Sequence, residues 1–127
     1  MSAVEATLLF QRAATRLDEA AAALMQGRCR EGLRAAKEAL KLFIQSLSTL
    51  MGSPLHGVEN PHYLAAVAEP LTGSRVFRLV TNAYLAENIY SDPCSALRLY
   101  VDACREVADR IRRLDPYLDI DRRTFRY

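Results

Sequence analysis

Apolar residues recur at intervals of three and four along most of the chain, and they do not alternate with polar residues in the manner of a strand. This period predicts four amphipathic helices, at about 3–26, 29–51, 74–90 and 93–114, followed by a tail at 115–127. Helices of this length need one another to cover their apolar sides. The predicted fold is therefore all-α, an up-and-down four-helix bundle.

Residues that favour helix ends support these boundaries. Gly27 follows an Ala- and Leu-rich run and is expected to end the first helix in the left-handed conformation. Ser74 is the expected N-cap of the third long helix. Asp92 followed by Pro93 is a strong start signal for the last helix, with Asp92 as N-cap and Pro93 at the first helical position.

One long loop separates the second and third long helices. Its sequence, GSPLHGVENP, holds two glycines, two prolines and an asparagine, all of which disfavour continuous helix. The next segment, HYLAAVAEP, predicts a short fifth helix that ends before Pro70. With 127 residues and no second copy of any unit, the chain is expected to form one helical-bundle domain over 1–127.

The charges are nearly balanced, at 17 basic and 15 acidic side chains and a net charge of +2. Bulk electrostatics therefore does not predict nucleic-acid binding, and any anion site must be local. The first residues have Glu5 where an export signal carries positive charge, and no apolar run is long enough to span a membrane. These features predict a cytoplasmic protein with no membrane partner.

Cys29, Cys94 and Cys104 are an odd number of cysteines and lack the spacing of metal ligands. We expect buried, reduced thiols that pack as small apolar side chains. The two imidazoles, His56 and His62, lie in or beside the long loop and also lack zinc-site spacing, so we expect them to be exposed.

The second helix carries a basic stripe, which consists of Arg30, Arg34, Lys37 and Lys41. These residues recur at intervals of four, three and four, so they share one side of the helix and are candidate contacts for phosphate groups or RNA. The alternative is a solvated face on which Glu38 is shared between Arg34 and Lys41, the usual arrangement on surface helices.

The last helix carries charges of alternating sign, which predict a surface ladder of ion pairs. The ladder consists of Arg98, Asp102, Arg105, Asp109 and Arg112. The unpaired basic surplus follows it and offers a weaker nucleic-acid or partner contact. It consists of Arg113, Arg122, Arg123 and Arg126.

Glu87 lies on the apolar side of the third long helix, where a carboxylate must pair, become neutral or face a cavity. With Arg78, Asn82 and Asn88 it forms a candidate polar pocket. The alternative is that a small rotation of the helix leaves Glu87 at the rim of the core. The sequence contains no phosphate-binding glycine loop, paired carboxylates at metal spacing or Ser/His/Asp set, so we assign no catalytic residue, cofactor or metal.

Two family resemblances involve the second helix. The stretch GRCREGLRAAKEALKL looks like the second helix of a tetratricopeptide unit, but one unit cannot bury its own apolar face. The layout of Gly27, LRAAKEALKLFIQSLSTLMG, a long loop and two more long helices resembles the HEPN group (higher eukaryotes and prokaryotes nucleotide-binding). This resemblance implies a small helical bundle that dimerises, and a role in nucleotide binding, RNA cleavage or assembly, often within toxin–antitoxin or defence systems.

The ribonucleases of the HEPN group carry an Arg followed four to six residues later by a His near the last long helix. The corresponding region here, ENIYSDPCSALR, contains no His, so no catalytic residue of that family is carried over. We therefore predict a homodimeric, non-catalytic module that binds nucleotide, RNA or a partner protein. The alternatives are a divergent ribonuclease using Arg78, Glu87 and Asn88, and a helical adaptor.

Overall fold

The computed structural model describes residues 2–55 and 57–116. Six helices and no strands occur in this part of the chain, which confirms the all-α prediction. The helices are α1 (Ser2–Met25), α2 (Cys29–Leu50), α3 (Pro61–Val67), α4 (Glu69–Thr72), α5 (Ser74–Asn88) and α6 (Pro93–Leu114). Among the described residues, no helix is long and apolar enough to cross a membrane. The predicted tail lies outside the described residues from position 117 onward, and His56 lies outside them too.

The four long helices begin and end within two residues of the predicted positions. Gly27 has a φ of 74° and ends α1 as expected, because glycine enters the left-handed region without a Cβ clash. Asp92 accepts a hydrogen bond from the Ser95 amide at 3.1 Å and caps α6, again as expected. The prediction that Ser74 is the N-cap of α5 is wrong. Ser74 is the first residue of the helix, and Gly73 occupies the cap position without a side-chain hydrogen bond.

The long loop leads into two short helices rather than one. Asn60 caps α3 through its side chain, which accepts a hydrogen bond from the Tyr63 amide at 3.0 Å, and Pro61 starts the helix. The predicted short helix is α3, which ends at Val67 and so before Pro70, as expected. The sequence did not predict α4, in which Pro70 lies in the first turn. A proline is tolerated there, since the first amides of a helix have no partner within it.

The helices form two antiparallel hairpins, α1 with α2 and α5 with α6, which meet along α2 and α6. In the first hairpin the Ser46 hydroxyl donates to the Ala6 carbonyl at 2.8 Å, and the rings of Phe10 and Phe43 pack edge to face at 5.4 Å. The α2 and α6 helices run parallel, so their first residues lie side by side. Helix α5 packs against α6, and α3 contacts both α2 and α5.

The core lies between the four long helices α1, α2, α5 and α6, and α3 adds Leu64 and Ala65 to it. On α6 the helical period of the sequence predicts one buried stripe, and all of its members are buried: Leu97, Val101, Cys104, Ala108 and Ile111. On α1 the same period predicts a buried side made of Leu9, Ala13, Leu17, Ala20 and Leu24. The helix is rotated from this prediction, because Leu9, Leu17 and Leu24 are only partly buried and Phe10 is buried in the core instead. Small residues allow this close packing, because alanine lets neighbouring helix backbones approach one another.

The expectation of three reduced cysteines is wrong. Cys29 and Cys94 form a disulfide with a Cα–Cα distance of 5.0 Å, and only Cys104 is a free, buried thiol. The two partners are 65 positions apart in the chain, so no local spacing signals the bond. It is formed because the parallel packing of α2 and α6 brings the first turns of both helices together.

Candidate functional site

The basic stripe lies along the side of α2 that faces α3 and α5, and its four members have different surroundings. Lys37 forms an ion pair with Glu87 of α5, and Lys41 forms one with Glu59 of the loop at 2.9 Å. The guanidinium groups of Arg30 and Arg34 are exposed, and neither has a carboxylate within 4.0 Å among the described residues. Among the described residues the stripe therefore presents two cations without an ion pair, Arg30 and Arg34, and two cations that are paired with carboxylates, Lys37 and Lys41.

The expectation that Arg34 and Lys41 share Glu38 is wrong. Glu38 accepts from Arg16 of α1, with an Nη2–Oε2 distance of 2.6 Å, and does not pair with Arg34 or Lys41. The same Arg16 also pairs with Glu19 at 2.6 Å, and these two carboxylates raise the pKa of its guanidinium, with the Glu38 hydrogen bond as the largest cause. Because Glu38 is turned toward α1, Arg34 forms no ion pair within 4.0 Å in the described part of the chain.

Glu87 is paired, as a carboxylate on an apolar side must be, but its partner comes from another helix. Its Oε2 accepts a hydrogen bond from Lys37 Nζ at 2.6 Å, and its side chain is 22% exposed. The other oxygen, Oε1, is buried and has no hydrogen-bond partner among the described residues. One oxygen of this carboxylate therefore keeps an unused acceptor position.

The other members of the predicted polar pocket do not meet Glu87. Arg78 and Asn82 are exposed on α5, and Asn88 donates to the Tyr84 carbonyl of its own helix at 3.0 Å. Asn88, Asn82 and Arg78 are one, five and nine positions from Glu87. At about 3.6 residues per turn, these offsets place all three on other sides of the helix. The polar cluster around Glu87 is instead formed by Lys37 and Tyr100.

Tyr100 lies on α6 beneath the Lys37–Glu87 pair. The residue is 1% exposed, and Lys37 Nζ lies 5.9 Å from the centre of its ring, within range of a cation–π contact. Burial raises the pKa of the Tyr100 phenol well above its usual range, and the negative charge of Glu87 adds to the effect. The phenol therefore stays protonated near neutral pH, where it can donate a hydrogen bond but cannot act as a base.

An aromatic cleft of about 580 Å³ opens between α3 and α5. We use this name for the cleft lined by Asn60, His62, Tyr63, Ala66, Phe77 and Tyr84. The His62 ring is nearly parallel to both aromatic rings of α5, with centroid distances of 5.8 Å to Phe77 and 5.1 Å to Tyr84. Its Nε2 lies 3.1 Å from the Thr81 hydroxyl, so His62 is half-buried and held in place, contrary to the expected exposure.

The aromatic cleft and the basic stripe belong to one continuous surface. Glu59, the partner of Lys41, directly precedes Asn60 at the mouth of the cleft. Tyr84 lies one turn before Glu87 on α5, and Tyr84 and Glu87 both act electrostatically on Tyr100. The sequence did not predict the cleft, because the lining comes from two helices. Local signals did exist in the adjacent pair His62 and Tyr63, and in the spacing of seven that places Phe77 and Tyr84 on one side of α5.

A further cleft lies at the C-terminal end of α6. Its volume is about 390 Å³, and it is mostly apolar and is lined in part by Arg110 and Arg113. Arg110 donates to the Leu71 carbonyl at 3.2 Å, so that guanidinium is already held by the protein backbone. Of the predicted basic surplus only Arg113 is described; Arg122, Arg123 and Arg126 lie outside the described residues.

The predicted ladder on α6 is present in part. Asp102 pairs with Arg105 at 4.0 Å and Asp109 with Arg112 at 3.2 Å, both at a spacing of three residues. The Arg112 guanidinium also lies 5.4 Å from the centre of the Phe10 ring. Arg98 forms no ion pair within 4.0 Å in the described part of the chain, so the ladder is shorter than expected.

Within residues 2–55 and 57–116, no group of three or more His, Cys, Asp and Glu side chains is placed to hold a metal ion. The fold and this surface define the class only as an all-α domain with a charged and aromatic groove. Comparison with known proteins adds nothing to that class, because no family model, no curated protein and no solved structure matches the chain.

Proposed function

We propose that this chain is a non-catalytic module that binds nucleotide or single-stranded RNA along the surface formed by the basic stripe and the aromatic cleft. The observation that carries this proposal is the position of Arg30 and Arg34, two exposed guanidinium groups without a carboxylate partner in the described chain, on the same stripe as Lys37 and Lys41. Arginine binds phosphate oxygens through paired N–H groups, and its guanidinium is more weakly hydrated than the ammonium group of lysine.

The length of the stripe supports a ligand with more than one phosphate. Arg30 and Lys41 are 11 positions apart on a continuous helix, which corresponds to about 16 Å along its axis. Lys37 and Lys41 are shared with carboxylates, so a phosphate near them competes with Glu87 and Glu59. Binding is therefore expected to be moderate in affinity and strongly salt-dependent.

The proposal keeps the HEPN-like interpretation, including the up-and-down four-helix arrangement and the homodimer. Support for a dimer comes from two large apolar side chains exposed at the C-terminal end of α5, namely Leu85 and Ile89. Burying such side chains between two copies would remove apolar area from water. A monomeric mass by light scattering over a wide concentration range would refute the dimer.

Binding is tested by fluorescence anisotropy with a short fluorescein-labelled single-stranded RNA over a series of salt concentrations. The double variant Arg30→Gln/Arg34→Gln is expected to bind more weakly and to reduce the slope of log K against log salt by about 1.4, or about 0.7 for each phosphate that the variant no longer neutralises. The matched control is Arg75→Gln/Arg105→Gln, which removes the same charge from exposed arginines outside the stripe. Equal weakening in both variants, or no binding by the native protein, would overturn the proposal.

The same RNA tests the rival enzymatic function. We expect the labelled strand to remain intact after prolonged incubation with the purified protein. Reproducible cleavage that disappears in Glu87→Ala would replace the non-catalytic function with that of a divergent ribonuclease. Glu87 is the residue to change because its Oε1 is the one carboxylate oxygen among the described residues that is buried without a partner.

A further inference from the structure

The aromatic cleft has a pre-formed lining of stacked rings. The planes of His62 and Phe77 differ by 3°, and those of His62 and Tyr84 by 21°, so the three rings are nearly parallel. The contact between His62 Nε2 and the Thr81 hydroxyl fixes the imidazole. A lining of this kind loses little side-chain entropy when a ligand binds, because its rings are already ordered.

Part of this aromatic surface remains accessible. Tyr63 on α3 is 62% exposed and Tyr84 on α5 is 39% exposed, and the two side chains border the cleft from opposite helices. Large aromatic side chains normally cover their faces, and adjacent exposed ones commonly form a binding surface. The near-parallel rings favour a planar ligand that stacks, whereas a box of rings set across one another would favour a small organic cation.

The rim of the cleft supplies hydrogen-bonding groups for the edge of such a ligand. The Asn60 side chain uses its oxygen to cap α3, and its amide nitrogen has no partner among the described residues. The Nδ1 atom of His62 is likewise unoccupied in the described part of the chain, because Thr81 is contacted by Nε2. A donor and a second ring nitrogen beside a stacking surface match the polar edge of a nucleobase.

The charges beside the cleft fit the rest of a nucleotide. Lys41 approaches the mouth of the cleft through its 2.9 Å contact with Glu59, whose side chain is 77% exposed. A carboxylate with this much exposure can lose its ion pair at little cost in free energy, since exposed pairs contribute little stability. A phosphate can therefore replace Glu59 as the partner of Lys41 while the attached base occupies the cleft.

From these contacts we infer that the aromatic cleft is the subsite for an unpaired nucleobase, stacked on Tyr63 and Tyr84, whose phosphates lie on the basic stripe. This inference rests on the proposed function and extends it to the chemical class of the ligand. It predicts a preference for single strands, because paired bases do not offer their faces for stacking.

Anisotropy titrations with the labelled single-stranded RNA test the subsite. Tyr63→Leu is expected to weaken binding about 5- to 150-fold, the range for removal of one base–aromatic stack, whereas Tyr63→Phe keeps the ring and should bind as the native protein does. Tyr90→Leu is the matched control, because Tyr90 is 74% exposed between α5 and α6 but does not line the cleft. Circular dichroism would verify that each variant is folded.

The outcome separates the subsite from the wider proposal. Weaker binding in Tyr63→Leu, with Tyr63→Phe and Tyr90→Leu unchanged, supports the nucleobase subsite, as does poor binding of an abasic strand of the same length. If Arg30→Gln/Arg34→Gln loses affinity while Tyr63→Leu does not, or if the abasic strand binds equally well, the subsite is refuted and the phosphate-binding function stands. If the native protein binds no RNA, both are refuted.

Discussion

Lys37 and Glu87 form an ion pair with an Nζ–Oε2 distance of 2.6 Å, and this pair joins α2 to α5 above the buried ring of Tyr100. Both side chains are partly exposed, at 32% and 22%, so water screens the pair only in part. It connects the two antiparallel hairpins on the same surface that holds the basic stripe and the aromatic cleft.

Removal of one partner of this pair is expected to cost more stability than removal of both. Lys37→Met leaves Glu87 with neither oxygen bonded and should lower the free energy of unfolding by about 1–3 kcal/mol. Lys37→Met/Glu87→Leu should cost less than the sum of the single changes, because it leaves no uncompensated charge. Urea denaturation of all four proteins measures the coupling.

A control for this cycle is the exposed pair of Asp102 and Arg105, whose charged atoms are 4.0 Å apart. Arg105→Ala is expected to change stability by no more than about 0.5 kcal/mol. Additive effects of the Lys37 and Glu87 changes would show that the pair is solvated and does not couple the hairpins.

Oxidation of Cys29 and Cys94 is expected to make a large contribution to stability. The disulfide closes a loop of 65 positions. The chain entropy that it removes from the unfolded state corresponds to about 4 kcal/mol of stability. Cys94→Ser should therefore lower the denaturation midpoint strongly under non-reducing conditions, and a reducing agent should do the same to the native protein but not to the variant.

Alkylation followed by mass spectrometry checks the thiol state directly. The unfolded but unreduced protein should take up one alkyl group, at Cys104, and the reduced protein should take up three. Three groups without prior reduction would contradict the disulfide. Disulfides are uncommon in a reducing cytosol, so this bond does not support the cytoplasmic location, which stays a prediction.

The close approach of α2 and α6 beside the disulfide makes Gly32 sensitive to substitution. A Cβ at this position would lie 2.5 Å from Leu97 Cδ2 and 3.0 Å from Ala23 Cβ. Gly32→Ala should therefore destabilise the protein by up to about 2 kcal/mol, because an overpacking cost of about 1–3 kcal/mol is offset by only about 1 kcal/mol of helix propensity that alanine gains. Thermal denaturation measures the change, and an increase in melting temperature would show that α6 can shift away.

Tyr100 is expected to make the stability dependent on alkaline pH. Its folded-state pKa is raised above the ordinary tyrosine value of 10.0, chiefly by burial, so the folded state binds its proton more tightly than the unfolded state does. Its contribution to stability is complete below about pH 10 and decreases as the pH rises further, because the unfolded phenol loses its proton first.

Tyr100→Phe should remove this part of the pH dependence and leave the protein folded, since the ring is retained. Urea denaturation at neutral pH and at several alkaline pH values measures the difference between the two proteins. A constant difference over that range would show that Tyr100 ionises as easily in the folded protein as in the unfolded chain.

The helices themselves could be predicted because their signals are local. The apolar period of α6, with Asp92 and Pro93 at its start, predicted both its limits and its buried side. The rotation of α1 could not be predicted, because several overlapping stripes of Ala and Leu are available and only the fit to Phe43 places Phe10 in the core.

The candidate site was predicted in its charges but not in its contacts. The sequence indicated that Glu87 needs a partner, and it grouped the basic stripe by helical spacing. It did not indicate that Lys37, 50 positions away, is that partner. It also left out the aromatic cleft, since His62 meets Phe77 and Tyr84 only when α3 packs on α5.

By itself the sequence therefore determined the all-α class, the positions of the long helices and which side of α2 is basic, because these depend on propensity and period over a few turns. The tertiary structure alone decided that Cys29 meets Cys94, that Lys37 meets Glu87 and that GRCREGLRAAKEALKL begins beside α6. Such contacts join residues distant in the chain. They depend on how whole helices pack, a choice made by the summed fit of many side chains and not by any local stretch.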